Sequence, residues 1–391
     1  MLDVLRGVAG SVFALGALLG GCTSPDDDDD PPRGYSSIAT ATSQSCVLDA
    51  EGAAWCWGEL GLAGATTVTP APVAVGGALR FASLSAGGAM VCGVAEDATA
   101  HCWGPNDHGQ LGLGTIGAGS ATPVLVGTGR LFASIAAGDP TSCGITPAGQ
   151  ALCWGSNALG QVGADVGPTD VQSPLPIALM MPMRQISISA DFACGVTTTG
   201  AAYCWGSNAS GQLGTGGVIT PTDLSRVPVL VGGGHTWRAV TTGDAYACGV
   251  TTGGVAHCWG RNEARLGNGS TAASSTPVAV AIPSGRVVTS IDAGRDFACA
   301  TTGAGDYCWG SNVHGQLGSN TAAGSQPSAT PVAIAAAGTG YAEVSASDGD
   351  HACAITTARD AVYCWGRNHV GQLGIGATGT APTLAPVRVG L

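Results

Sequence analysis

The chain has 391 residues, of which 10% are charged and 64 are glycine. That composition describes turns and short strands rather than long solvated helices, and it points to an all-β fold. The formal net charge is -12 and lysine is absent, which excludes the clustered cations that nucleic acid requires, Schiff-base lysines and phosphate-cradling loop lysines.

In chain order, Val8 to Leu19 form the first feature, an apolar run of twelve residues. The run is too short to span a bilayer and has the length of a signal-peptide core. Leu19-Gly20-Gly21-Cys22 follows and resembles the lipobox of bacterial lipoproteins. The resemblance implies cleavage before Cys22, a diacylglyceryl thioether on its sulfur and acylation of the new amino group. The leading segment departs from the usual pattern, since Arg6 is offset by Asp3. Thr23, rather than Asp, after Cys22 favours the outer membrane over retention at the inner one. Five aspartates, Asp26 to Asp30, then stand between Pro25 and Pro31-Pro32; like charges repel and such a segment extends as a tether. A plain carboxylate run lacks the turned loop of a calcium site. Residues 1-21 are thus expected to be a lipoprotein signal peptide and 22-34 a lipidated, acidic, proline-rich tether. The expected setting is the outer membrane, facing the periplasm or the cell surface, with a monomer held by its lipid alone.

From residue 35 onward one unit recurs. Trp-Gly pairs start at Trp57, Trp103, Trp154, Trp205, Trp259, Trp309 and Trp365, spaced by 46, 51, 51, 54, 50 and 56 residues. The fourth unit reads as strands at Ile186 to Ser189, Phe192 to Thr197, Ala202 to Trp205 and Pro228 to Val231, with Thr198-Thr199-Gly200 as a turn. Proline at the start of the fourth strand does least harm there. Four strands in each of seven units predict a closed ring, a seven-bladed β-propeller with four-stranded blades over 35-391. Because the first unit opens near Ser36 and the last ends on Val387-Arg388-Val389, strands from both chain ends are expected to close it.

Five copies of Trp-Gly-x-Asn-x-x-Gly-Gln-Leu-Gly occur, at Trp103 to Gly112, Trp154 to Gly163 (Val162 for Leu), Trp205 to Gly214, Trp309 to Gly318 and Trp365 to Gly374. They resemble the hallmark of the regulator of chromosome condensation repeat family, and the resemblance likewise implies a seven-bladed propeller. Trp57 to Gly64 has lost the Asn and Gln, and Trp259 to Gly267 carries Arg265 for Gln and is one residue short. Irregular blades are expected at those two places.

Fourteen repeat cysteines pair locally as Cys46-Cys56, Cys92-Cys102, Cys143-Cys153, Cys194-Cys204, Cys248-Cys258, Cys299-Cys308 and Cys353-Cys364. A hairpin folded between each pair brings its members face to face within disulfide reach. Export and an even count favour disulfides over reduced core cysteines or zinc, which wants tighter pairs.

No Gly-x-Ser-x-Gly, His-Glu-x-x-His or Gly-Lys phosphate loop occurs, so neither a catalytic set, a metal nor a cofactor is expected. The asparagines and glutamines of the repeat, such as Asn208 and Gln212, are expected to satisfy backbone groups in tight turns. His108, His314 and His369 fall in the same loop of three units, read as exposed loop histidines. Asp348-Gly349-Asp350 reads as a turn, and Trp237, outside the period, as interblade packing. Segments between the loop's last Gly and the next Pro vary in length, and the longest carry Asp165, Asp170, Asp223 and Arg226. Variable loops on a rigid ring are where recognition usually sits, so these four are the candidate binding residues. The expected function is non-catalytic binding of a protein or glycan of the cell envelope. The alternatives are a glycan hydrolase or lyase using those loop acids and, more remotely, guanine-nucleotide exchange by family analogy.

The lipobox reading predicts that Cys22→Ser leaves the protein unprocessed or releases it from the membrane fraction. Fractionation with mass analysis of the mature terminus checks this; unchanged processing and membrane association contradicts it.

Overall fold

The computed structural model describes residues 34-62, 65-324, 326-335 and 340-391. The expectations for the signal peptide, Cys22 and the tether up to residue 33 lie outside the described residues. Each repeat folds as an antiparallel meander whose four strands follow chain order, and there are seven such sheets. Blade 4 has its inner strand at Met183–Ile188, then Phe192–Thr197, Ala202–Ser207 and the outer strand Leu224–Leu230. The outer strand therefore starts before the expected Pro228, which sits inside it. This strand pairs on one side only, and the register slips between Cys204↔Val229 and Gly206↔Ser225; proline is tolerated at such an edge irregularity.

The seven disulfides form as expected, one per blade. Each pair lies directly opposite in the second-to-third-strand register, with Cα atoms 4.0–4.1 Å apart, and all fourteen bonded cysteines are fully buried. Closing so short a hairpin contributes about 2–3 kcal/mol in the chain-entropy account.

Hydrophobic clusters straddle blade boundaries rather than filling single blades. Cys143, Cys153 and Val162 of blade 3, for example, pack with Met183, Ile186 and Trp205 of blade 4. Trp237 is among the fully buried side chains and shares a cluster with Phe192, Val196 and Leu213 of blade 4, so the interblade packing expectation holds.

Two sets of hydrogen bonds join neighbouring blades. In the first, the tryptophan indole donates to a backbone carbonyl of the preceding blade's loop. Trp154 reaches Gln110 at 2.9 Å, Trp205 Gln161 at 2.8 Å, Trp259 Gln212 at 2.9 Å, Trp309 Arg265 at 2.8 Å, Trp365 Gln316 at 2.9 Å and Trp57 Gln372 at 2.9 Å. In the second, one position of the inner strand accepts from the next blade's backbone. Ser85 accepts from Ala137 N at 3.0 Å, Ser187 from Thr242 N at 3.0 Å, Thr241 from Ala293 N at 3.2 Å, Asp292 from Ala346 N at 2.9 Å and Ser345 from Thr40 N at 3.1 Å. Ala39 and Ala136 occupy that position in the other two blades.

The first and last blades do meet at the closing seam, but no sheet is shared: blades 1 and 7 are each built from one contiguous stretch. Closure is by side-chain and packing contacts. Besides the Trp57 bond, Arg359 Nη1 donates to Ser36 O at 2.8 Å, and Ser45 Oγ lies 2.8 Å from His351 Nε2. His351 is fully buried, and burial pushes its pKa down to about 3, which keeps the ring neutral at the seam.

The loop glycine that ends the repeat motif is required twice over. Gly163 has φ +72°, and a Cβ there would stand 2.6 Å from the Trp205 indole. Gly163→Ala is expected to cost at least about 2 kcal/mol, from left-handed strain and overpacking together. Gly167→Ala, four residues on with nothing within 4 Å, should be near neutral. Denaturant melts of the two variants check this; equal stabilities contradict it.

Candidate functional site: the loop face

The loop between the third and outer strands is tied by its own side chains, in the same way from repeat to repeat. Asn Oδ1 accepts from a backbone N–H further along the loop: Leu111 to Asn106 and Val162 to Asn157 at 3.1 Å, Leu213 to Asn208 at 3.0 Å and Leu373 to Asn368 at 3.1 Å. Gln Oε1 accepts from the N–H two residues before it, as His108 to Gln110 and Ser210 to Gln212, both at 2.8 Å. These residues satisfy backbone donors, as expected. In blade 5 the carbonyl of Arg265 still receives Trp309, while its guanidinium lies 2.6 Å from Glu263; the substitution keeps the junction regular. Blade 1 is irregular, because its third and outer strands continue as a hairpin paired as far as Leu62↔Ala65.

These loops share one end of the blades with the turns between inner and second strands. The amide of Gln161 donates to Ala190 O at 3.2 Å, joining the blade 3 loop to the blade 4 turn. At this end the channel mouth holds two adjoining cavities of about 260 and 340 Å³. Thr42, Gly88 and Asp139 line both; Asp191, Asp244, Arg295 and Asp348 line the first, and Glu59 the second. Burial raises the pKa of Asp139, Asp191 and Asp348 above the ordinary carboxylate range. Inside the channel, burial lifts Asp292 to about 6 against its hydrogen bonds from Thr241 and from backbone N–H groups. Asp348 Oδ2 accepts from Gly88 N at 3.1 Å, bridging blade 7 to blade 2 across the mouth. The sequence reading missed this mouth. Its signal is an Asp three to five residues before the first hairpin cysteine in units 3 to 7, of which Asp139, Asp191, Asp244 and Asp348 line the mouth and Asp296 of unit 6 does not.

The four candidate residues do not converge on one point. Asp170 Oδ2 lies 2.9 Å from His108 Nδ1, across the junction of blades 2 and 3. Asp223 Oδ2 accepts from Asn208 Nδ2 at 2.5 Å within blade 4. Asp165 is exposed, with φ 54°, and its N–H donates to Arg226 O at 3.2 Å. Arg226 Nη1 is buried without a hydrogen-bond partner. The loop histidines have separate local contacts: His314 lies 3.5 Å from Asp350, which also meets Arg295 and Arg367 at 3.1 and 3.3 Å, and His369 Nδ1 lies 3.1 Å from Gln372 Nε2. Among the described residues no group of three or more His, Cys, Asp or Glu is arranged to hold a metal ion.

Disulfide-stapled blades, an indole-to-carbonyl junction and a loop face around a channel mouth define a repeat propeller. Two profiles of the regulator of chromosome condensation (RCC1) repeat match the chain, one over 97–145, 199–250, 253–301 and 359–391, the other over 132–161, 183–212 and 341–372. Together they cover more than half of it, and the chain belongs to the RCC1-repeat family. It is 29% identical over 207 residues to the human "Probable E3 ubiquitin-protein ligase HERC6", covering 50% of this chain and 20% of that one. With human HERC3, of the same description, it shares 32% over 143 residues, 36% of this chain and 14% of that protein. The chain thus spans a fifth or less of these relatives. Among solved structures, yeast RCC1 (Prp20) bound to Kap60 superposes with a TM-score of 0.75 at 19% identity, over 94% of this chain and 91% of that one. Human WBSCR16 gives 0.72 at 19%, over 84% and 88%. At such identities the likeness is one of fold.

The hydrogen bond to Asp170 raises the pKa of His108 above its ordinary value. A raised folded-state pKa contributes stability that is full below the unfolded value of about 6.5 and is lost as pH rises through the folded one. Asp170→Asn is expected to bring the His108 pKa down in an NMR titration. An unmoved pKa contradicts the pairing.

Proposed function

We propose that the chain is a non-catalytic binding protein of the bacterial cell envelope that recognises a protein or glycan through the loop face. One observation carries this reading: the acid-lined mouth shares its end of the blades with loops that present exposed apolar side chains. Leu113 and Ile116 of blade 2 are 41% and 46% exposed, and Val218 and Ile219 of blade 4 are 86% and 37% exposed. Apolar groups left in water on the same face as a mouth where acids outnumber the single cation, Arg295, suit a partner that brings both apolar and cationic groups. The envelope setting is supported by the lipobox-like Cys22, the acidic tether and seven disulfides, which persist in oxidising compartments.

The ubiquitin-ligase activity in the relatives' names belongs to proteins matched over a fifth of their length or less. Guanine-nucleotide exchange would rest on fold analogy alone. The hydrolase reading needs paired acids, whereas Asp170 and Asp223 are each engaged by a different neighbour.

The test is crosslinking and capture from native envelopes with the full chain as bait. Loop replacements are confined to 164-169 and 215-222, because the outer strands run over Val171–Pro176 and Leu224–Leu230. A partner held by the unaltered chain is expected to be lost on replacing those loops. It should be kept when Leu131 and Met180, in connections at the other end of the blades, are changed to Ser. The reverse pattern overturns the choice of face, and glycan fragments with new ends favour the hydrolase.

A further inference from the structure

The connection from blade 4 to blade 5 carries His235, two residues before the inner strand Trp237–Thr242 begins. The third strand of blade 5, Ala256–Gly260, carries His257 two residues before the repeat tryptophan. Their imidazole centroids are 4.3 Å apart with the planes tilted by 40°. The Trp237 ring stands edge-on to both, at 5.3 and 5.8 Å. His257 Nδ1 is buried and has no hydrogen-bond partner. Burial first, and the neighbouring His235 second, hold the His257 pKa below its ordinary value, so this ring is neutral near pH 7.

Blade 2 supplies an internal comparison. His101 occupies the same register position as His257, opposite a glycine of the second strand. It packs edge-on to Phe81 and its Nε2 lies 3.0 Å from Thr99 Oγ1, while its Nδ1, like that of His257, is buried without a hydrogen-bond partner; the second imidazole, not the orphaned nitrogen, is what sets blade 5 apart. The connection before Phe81 reads Gly76-Gly77-Ala78-Leu79-Arg80, with no second imidazole, whereas the connection before Trp237 reads Gly232-Gly233-Gly234-His235-Thr236. Blade 5 alone adds a histidine on a glycine run to the shared one.

Two imidazoles side by side, one of them held neutral by burial, offer nitrogen lone pairs that a single ion can share. A late divalent metal binds imidazole nitrogen at about 2.0–2.1 Å, so one ion bridges two nitrogens up to about 4 Å apart. Gly233 and Gly234 have positive φ, +88° and +67°, and the glycine run lets His235 adjust to an ion. With imidazole donors and neither thiolate nor carboxylate in the pair, the preference runs to Cu²⁺ ahead of Zn²⁺. We propose that His235 and His257 form a bidentate site for a late divalent transition metal, Cu²⁺ before Zn²⁺, with water completing the coordination.

The experiment is calorimetric titration of the purified, oxidised full chain with copper(II) chloride at pH 7.5, and separately with zinc chloride, alongside electron paramagnetic resonance of the copper form. The proposal expects one saturable copper site with two nitrogen ligands, weakened at least tenfold in His235→Ala, unchanged in His101→Ala, and weakened as the solution is acidified because imidazole must be neutral to bind. His257→Ala should behave as His235→Ala does. Should His257→Ala misfold, His235→Ala still decides, because His235 lies on a connection outside the strands and its side chain is only half-buried. Copper binding of equal strength in His235→Ala, or no saturable site in the unaltered chain, overturns the proposal.

Discussion

A tryptophan indole N–H donating to a backbone carbonyl of the neighbouring blade recurs around the ring at 2.8–2.9 Å. Most of the repeat can be read from this one contact. The acceptor is a backbone atom, so the loop that bears it must be held in one conformation; Asn and Gln do this by accepting loop N–H groups. The loop must also pass close against the indole, and a side chain at its last position would collide with the ring, as at Gly163 and Gly318. A buried indole N–H or carbonyl left without its partner costs about 1–3 kcal/mol. The full junction adds the packing of the indole, which dominates the clusters straddling blades.

This explains which features were legible in the sequence. The period, the blade number and the cysteine pairing could be read because each is repeated, and repetition converts weak local signals into a strong one. Arg265 shows the limit. A residue-by-residue comparison makes blade 5 defective, yet the junction uses the main chain of that position and tolerates the change. Blade 1 departs in earnest: without the Asn and Gln of the loop, its third and outer strands pair with each other as far as Leu62↔Ala65. Pro228 misled for a related reason, since an outer strand bonded on one side can hold a proline anywhere that its nitrogen faces outward.

The candidate site was less legible, because it is assembled from residues about fifty positions apart that form no local pattern. Asp139, Asp191, Asp244 and Asp348 meet at the mouth only once the ring has closed. Loop length points to Asp165, Asp170, Asp223 and Arg226, of which Asp165 is exposed and the other three are half-buried. Asp170 and Asp223 are occupied by His108 and Asn208.

Indole hydrogen exchange tests the central claim most directly. In the ¹⁵N-labelled, oxidised protein, the Nε1–H groups of Trp57, Trp154, Trp205, Trp259, Trp309 and Trp365 should exchange only through global opening, at rates that track denaturant as backbone amides of the inner strands do. Trp55, whose Nε1–H bonds to the Asp49 carboxylate within blade 1 and is only part-buried, should exchange by local fluctuation. If the six junction indoles exchange as fast as Trp55 while the inner-strand amides stay protected, the blades are held together by something other than this contact.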